Sequence, residues 1–124
     1  HDRLLLVTDA AVNNAPELRV KADIVRNAID LARAIGIETP RVALLSAVET
    51  VNPGIPSTVD AAALREMGQR GEITGGVLDG PLAFDNAISA EAARIKGIDS
   101  PVSGAVDVLV GTQMIAKGHD FRRI

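Results

Sequence analysis

Residues 42–64 of the chain, VALLSAVETVNPGIPSTVDAAAL, carry the pattern that predicts the fold. The stretch opens with a continuous run of apolar and small side chains, which is typical of a strand covered on both faces of a sheet. Asn52, Pro53 and Gly54 then form a turn signal, and apolar side chains at helical spacing follow it. A strand, a turn and a helix in this order are the first part of a βαβ crossover, which joins two parallel strands.

The same alternation of apolar runs and helical spacing extends over the rest of the chain. The predicted strands are residues 4–7, 42–47, 75–79 and 106–110, and the predicted helices are residues 18–35, 58–70 and 85–96. The apolar faces of these helices are expected at Val20, Ile24, Ala28, Ala32 and Ile35, then at Val59, Ala63 and Met67, and finally at Ile88, Ala92 and Ile95. Because apolar strands alternate with amphipathic helices, we predict an α/β fold, a three-layer domain with a mainly parallel sheet of about four strands.

The composition is that of one globular domain. Of the 124 residues, 47% are hydrophobic and 23% are charged, which is enough for a single core. The net charge of -3 gives no general attraction to phosphate backbones, so a nucleic-acid partner is not expected. The absence of cysteine fits a cytoplasmic localisation, and no apolar run approaches the roughly 20 residues that cross a bilayer, so no membrane partner is expected. Because the chain begins with His1 instead of Met, we expect it to be part of a longer protein.

Hydroxyl and carboxyl side chains recur where the predicted strands end. In parallel α/β sheets, ligands bind at this carboxyl edge, where helix N-termini present unpaired N–H groups to anions. The same residue types also cap helices and form turns for structural reasons alone, so residue type leaves both interpretations open. The residues at the four strand ends are Thr8 and Asp9, Ser46 and Glu49, Asp79 and Gly80, and Gly111 and Thr112.

Familiar catalytic motifs are missing from the sequence. Residues 75–80 have the glycine spacing of a phosphate-binding loop, but Pro81 stands where that loop needs its lysine. The two histidines lie at opposite ends of the chain, and without cysteines they form no zinc motif. Asp79 and Asp85 could hold Mg²⁺ or act as an acid and base pair, but a turn residue and a helix cap are the preferred explanation. No metal and no required cofactor are therefore expected.

Residues 4–18 (LLLVTDAAVNNAPEL), 42–64 and 75–98 (GGVLDGPLAFDNAISAEAARIKGI) closely resemble the phosphate acyltransferases, that is, the phosphate acetyl- and butyryltransferases, with the butyryl branch the better match. The resemblance covers about residues 2–110 and implies the second α/β domain of these enzymes. Members exchange an acyl group between coenzyme A and inorganic phosphate in a cleft between two domains, so coenzyme A or another small anion is the expected ligand. The resemblance implies that the cleft-facing residues are Thr8, Asp9, Asn13, Ser57, Thr58, Asp79, Gly80 and Asp85.

The sequence also departs from the family. Members carry a first domain before the TDAA stretch, and near their C-terminus a Ser-Arg pair followed by Asp; no Ser-Arg step occurs in this sequence. We therefore assign no catalytic residue and expect the chain alone to be catalytically inactive, with at most weak binding of coenzyme A or an anion. A missing partner domain would leave apolar surface exposed, so a homodimer is also expected.

Residues 111–124 form an atypical C-terminal tail. Its GTQMIAKGHDF stretch resembles a motif of the second motor domain of primosomal DNA helicases, and it also matches a shortened form of the Gly-Asn-Met-Leu-Ala-Lys helix of the acyltransferases. The preferred interpretation is a recombined or engineered chimera, with residues 1–110 from an acyltransferase and the tail from a helicase. The alternative is a natural truncated phosphate acetyl/butyryltransferase. A nucleotide- or DNA-binding module through the tail is a remoter alternative, because no nucleotide loop accompanies it.

Overall fold

The computed structural model describes residues 6–9 and 18–111, and in this part of the chain four strands form one sheet. All their pairings are parallel, and the strand order is β1-β4-β2-β3. The four predicted strands are confirmed, with bounds that shift by a few residues. The strands are β1 (Leu6–Asp9), β2 (Arg41–Leu45), β3 (Val77–Leu82) and β4 (Val108–Gly111).

The helices within the same residues confirm the first two predicted helices and correct the third. Ser89 has extended backbone dihedrals, and its hydroxyl accepts a hydrogen bond from the Ala92 N–H at 3.0 Å. Ser89 therefore ends one short helix and caps the next, so the single helix predicted over residues 85–96 is wrong. The helices are α1 (Leu18–Ala34), α2 (Pro56–Gln69), α3 (Phe84–Ile88) and α4 (Ala90–Ile95).

Helices cover both faces of the sheet, which confirms the predicted three-layer α/β architecture. On one face, α1 and α2 pack against alternate residues of the strands, among them Val42, Leu44 and Val108. On the other face, α3 and the segment of residues 98–106 pack against the intervening strand residues. β2, β3 and β4 therefore have apolar side chains on both faces, which explains their continuous apolar runs.

The predicted apolar faces of the helices are partly wrong. Val20, Ile35, Val59, Ile88 and Ile95 are exposed. In α1, the predicted Ala32 is buried, and the predicted Ile24 and Ala28 pack partly against the core. The fully buried stripe is nevertheless offset around the helix from the predicted one. This stripe contains Ala22 and Ala32, whose small side chains let the helix axis approach the strands closely. The buried apolar side chains of α1 are Ala22, Val25, Ile29 and Ala32.

The pairing of β2 with β3 contains one irregularity close to the carboxyl edge. Ala43 pairs with Asp79, whereas Leu45 pairs with Leu82, so β3 has one residue more than β2 over this interval. The extra residue lies at the Gly80–Pro81 step, whose peptide bond is cis. Such a bulge bends the strand and re-aims the side chains that follow it.

Candidate functional site

β2 and β3 end side by side at the carboxyl edge of the sheet. The chain leaves β2 for α2 on one face of the sheet, and it leaves β3 for α3 on the opposite face. Where the connections of two neighbouring parallel strands diverge in this way, open α/β sheets bind their ligands. We refer to this region as the carboxyl-edge site; its described polar residues are Lys21, Ser46, Ser57, Asp60, Arg65, Asp79 and Gly80.

Two hydroxyl groups meet at the end of β2. Ser46 directly follows the strand, and its Oγ lies 2.7 Å from the Oγ of Ser57 in the first turn of α2. The Ser46 N–H donates to the Leu82 carbonyl at 2.9 Å, which ties this position to the end of β3. A hydroxyl can accept two hydrogen bonds and donate one, so this pair keeps capacity for a ligand. Ser57 does not cap α2, because Ile55 occupies the N-cap position.

Thr58 stabilises the loop that precedes α2. Its side chain is fully buried, and its Oγ1 accepts a hydrogen bond from the Asn52 N–H at 2.9 Å. The same hydroxyl lies 2.8 Å from the Ile55 carbonyl, to which it donates. These bonds hold the loop before α2 in place. The contact between Thr58 and a ligand stays a prediction.

Arg65 of α2 reaches the end of β3. One guanidinium nitrogen donates to the Gly80 carbonyl at 3.2 Å and lies 3.9 Å from the Asp79 carboxylate. The Nε of Arg65 is buried and has no hydrogen-bond partner among the described residues. The guanidinium is therefore only loosely neutralised, and a planar cation of this kind suits carboxylate and phosphate groups. Two predicted site residues, Asp79 and Gly80, thus contact a residue that sequence reasoning did not single out.

Asp85 lies in the first turn of α3, beyond the end of β3, and its side chain is exposed. The carboxylate accepts the Asn86 N–H at 2.9 Å and lies 3.4 Å from the Lys96 ammonium. Asp79 and Asp85 therefore have separate cationic partners, Arg65 and Lys96. Within residues 6–9 and 18–111, no three His, Cys, Asp or Glu side chains gather as a metal site would require.

The remaining predicted residues are only partly described. The backbone of Thr8 and Asp9 pairs with Val110 and Gly111, which places both at the same carboxyl edge. Asn13 and residues 112–124 lie outside the described residues. None of the helices in the described part of the chain is long and apolar enough to span a membrane.

A pocket lies beside the hydroxyl pair, between the sheet and the first turns of α1 and α2. Its cavity volume is about 20 Å³, which is room for about one water molecule, and we call it the strand-end pocket. Lys21 and Asp60 form an ion pair of 2.5 Å in its wall. Sequence reasoning missed this pair, because its two members lie 39 positions apart on different helices. The lining residues are Lys21, Leu44, Leu45, Ser57, Asp60, Ala61, Leu64, Val110 and Gly111.

The described residues form a three-layer, parallel α/β domain with polar side chains gathered at its carboxyl edge. Residues 1–114 match the family model described as Phosphate acetyl/butaryl transferase. Since this match covers most of the chain, the chain belongs to the phosphate acetyl/butyryltransferase family, as its resemblance implied.

Individual relatives agree with the family. The chain is 66% identical to a phosphate acetyltransferase of Rhizobium meliloti, covering 98% of this chain and 40% of the relative. It is 54% identical to a phosphate butyryltransferase of Clostridium acetobutylicum, covering 88% of this chain and 36% of the relative. Among solved structures, a branched-chain phosphotransacylase from Enterococcus faecalis V583 superimposes with a TM-score of 0.75 at 37% identity, covering 86% of this chain and 38% of that protein.

These matches bear on the expected similarity to the butyryl branch and on the expected helicase origin of the tail. The identity with the acetyltransferase exceeds that with the butyryltransferase, so a preference for the butyryl branch is not supported. The match to the Rhizobium meliloti protein covers more of the chain than residues 1–110 could supply, so it includes part of the C-terminal tail. A helicase origin of the tail therefore receives no support. The chain spans about two fifths or less of the length of these relatives.

Proposed function

We propose that this chain forms part of a phosphate acyltransferase, and that its carboxyl-edge site binds the anionic groups of coenzyme A or inorganic phosphate during acyl transfer. Coenzyme A is then a substrate and not a cofactor. This proposal follows the alternative of a natural phosphate acetyl/butyryltransferase, which the family matches favour over a chimera.

The guanidinium of Arg65 carries the proposal. It lies at the end of β3, its nearest carboxylate oxygen is 3.9 Å away, and its Nε has no partner among the described residues. Hydrogen bonds from such a cation to a phosphate oxygen are each worth about 1.5–3 kcal/mol. The hydroxyls of Ser46 and Ser57 lie at the same edge and can donate to a second oxygen.

In acyl transfer, the thiol sulfur attacks the carbonyl carbon of the acyl phosphate, the thiol proton goes to a base, and phosphate leaves. The described residues can bind and orient the anionic groups of both substrates. The Ser-Arg-Asp set that the family resemblance implies for the proton and the phosphate does not occur in this sequence. We therefore propose that the 124-residue chain alone binds ligand but forms no acyl phosphate.

The test is the thermal midpoint of the 124-residue chain with coenzyme A and, separately, with inorganic phosphate. A ligand that binds the native state must raise the midpoint, and a concentration 100 times the Kd adds about 2.7 kcal/mol of stability. In Arg65→Gln, the affinity should fall roughly 10- to 100-fold, whereas Arg65→Lys should retain part of it. The matched control is Arg94→Gln, because Arg94 is an exposed residue of α4 that pairs only with Glu91 in the described part of the chain.

Two results would contradict the proposal. One is a thermal midpoint that neither coenzyme A nor phosphate changes at millimolar concentration. The other is an equal loss of affinity in Arg65→Gln and Arg94→Gln. Turnover near that of an intact phosphate acetyltransferase would show separately that the chain alone is catalytically competent.

We further propose that the chain forms a homodimer. Several large aliphatic side chains are exposed, and exposed apolar surface commonly marks protein contacts. Those on the side of α3 and α4 are Ile88 and Ile95, and the end of α1 adds Leu31 and Ile35. Their burial by a second copy would remove apolar surface from water on both chains.

A further inference from the structure

Helix α1 carries a second apolar stripe that the sheet covers only in part. Five apolar side chains recur along α1 and the residue after it at spacings of four, four, three and four residues, which places them on one side of the helix. Three of them are 42%, 53% and 47% exposed, and the other two are half-buried. Aligned apolar side chains on a surface commonly mark a contact with another protein. We call these residues the outer stripe: Val20, Ile24, Ala28, Leu31 and Ile35.

The outer stripe lies next to one edge of the sheet. α1 packs against β1 and β4, whereas α2 packs against β2 and β3. The groove between the two helices is lined by Arg19, Ala22 and Arg26 of α1, which lie on the opposite flank of the helix from the outer stripe. β1 is first in the strand order, and within the described residues it pairs with β4 alone. The outer stripe therefore faces outward above the edge of β1 that no described strand covers.

The outer stripe fits a second copy of itself. Its side chains follow the same order in both directions from Ala28, with two large aliphatic residues on either side of this small one. An antiparallel pair of α1 helices would place Val20 opposite Ile35 of the second copy, and Ile24 opposite Leu31 of the second copy. The small residue at the centre would let the two helices approach closely. We propose that the chain forms its homodimer through the outer stripe and the edge of β1, across a two-fold axis.

The spacing of strands and helices supports this contact. Paired strands lie about 4.8 Å apart, so a pair of β1 strands across the axis would continue the sheet from one copy into the other. Because α1 contacts both β1 and β4, its axis lies roughly above the midpoint between them, about 2.4 Å further from the two-fold axis than β1. The two α1 axes would then be about 9.6 Å apart, and packed helices lie roughly 8–10 Å apart.

The area of this contact is that of a weak dimer. The outer stripe spans about 22 Å of helix, and the helix layer and the sheet layer together are roughly 20 Å high. The two copies would thus cover roughly 900 Å² of nearly flat surface, close to the about 1,000 Å² that a specific interface needs. We therefore expect a dimer that is populated at high micromolar concentration. This inference rests on the proposed homodimer, because it names the face through which the two copies join.

Sedimentation at high micromolar concentration tests the outer stripe. Leu31→Lys should raise the dissociation constant of the dimer roughly 100-fold or more, because the two-fold axis places the new charge in the interface twice. Leu31 is exposed, so the fold should be kept, and the thermal midpoint verifies this. Asp30→Asn is the matched control, since it changes the net charge by the same amount at an exposed position on the polar side of α1.

A cross-link tests the antiparallel arrangement of the two helices. The sequence has no cysteine, so a single introduced cysteine can form a disulfide only between two chains. Ala28 lies beside the proposed axis, where facing Cα atoms of the two helices would be about 5 Å apart, and a disulfide needs about 4.4–6.8 Å. Ala28→Cys should therefore form a covalent dimer under mild oxidation. Asp30→Cys, on the polar side of the same helix, should stay largely without a cross-link.

The outcomes separate this inference from the proposed homodimer. If Ile95→Lys dissociates the dimer while Leu31→Lys leaves it intact, the outer stripe is not the interface and the homodimer stands. Equal cross-linking of Ala28→Cys and Asp30→Cys would also overturn the inference. A monomeric mass for the unmodified chain at high micromolar concentration would overturn both.

Discussion

The Oγ of Ser46 and the Oγ of Ser57 lie 2.7 Å apart, and this contact joins the end of β2 to the first turn of α2. Ser46 is buried and Ser57 is half-buried, so removal of either hydroxyl leaves the other with an unmet hydrogen bond. The pair therefore links the geometry of the sheet edge to the position of α2.

We predict that the two hydroxyls of this pair stabilise each other. Ser46→Ala and Ser57→Ala should each lower the free energy of unfolding by about 1–2 kcal/mol, and the double variant should lose less than the sum of both. Urea denaturation of the four proteins of the double-mutant cycle provides the measurement. Strict additivity would show that the two hydroxyls do not interact in solution.

Gly80 should not tolerate a side chain. A Cβ at this position would lie 2.5 Å from the Leu44 carbonyl oxygen and 2.7 Å from the Leu44 Cβ, so backbone would have to move. Gly80→Ala should therefore lower the free energy of unfolding by about 1–3 kcal/mol or more. Gly68→Ala is the control, because its Cβ would meet Leu78 only at an ordinary 3.5 Å and helix interiors favour alanine. Gly68→Ala should be neutral or stabilising, and equal losses in both variants would contradict this explanation.

The Lys21–Asp60 ion pair should respond asymmetrically to the removal of its two partners. The side chain of Lys21 is 8% exposed and that of Asp60 is 28% exposed, so an unpaired Lys21 loses more hydration. Asp60→Asn should consequently destabilise the protein more than Lys21→Met, which retains the apolar stem of the lysine. Thermal unfolding of both variants tests this order. Asp23→Asn, which removes an exposed pair with Arg26, should change stability by less than about 1 kcal/mol.

The homodimer can be tested by sedimentation at high micromolar concentration. If α4 takes part in the interface, Ile95→Lys should shift the protein toward the monomer, because Ile95 is 71% exposed and would be covered by the second copy. Glu91→Lys, a charge change at an exposed position of the same helix, controls for net charge. A monomeric mass for the unmodified chain would rule out the dimer.

The strands could be predicted because burial on both faces requires apolar residues at every position, and that requirement leaves continuous runs such as residues 42–45. The buried faces of the helices were harder to predict, because α1 carries two apolar stripes. Only its packing against the sheet determines which stripe is buried. The spacing of Ile88, Ala92 and Ile95 predicted one continuous helix, and it concealed that Ser89 ends one short helix and caps the next.

The candidate site was predictable to the extent that it follows the strand ends. Asp79 and Gly80 were named because strand ends and the family resemblance both pointed to them, whereas Ser57 was named by the resemblance alone. The structure places all three at the carboxyl edge. Arg65 was missed because it lies in a helix, 15 positions before the carbonyl that it contacts. Contacts of this kind depend on how elements pack, which a local pattern does not contain.

The position of β4 has a consequence for the time at which the protein can fold. β4 is the last described strand along the chain, yet it lies between β1 and β2 and separates them. While the chain is still being translated, β1 therefore lacks its only partner among the described strands until residues 108–111 have left the ribosome. Over this interval the edges of β1 and β2 that β4 will join lack their native partner, and unpaired strand edges promote aggregation of nascent chains. Assembly of the sheet is thus a late, cooperative event governed by its most distant segment.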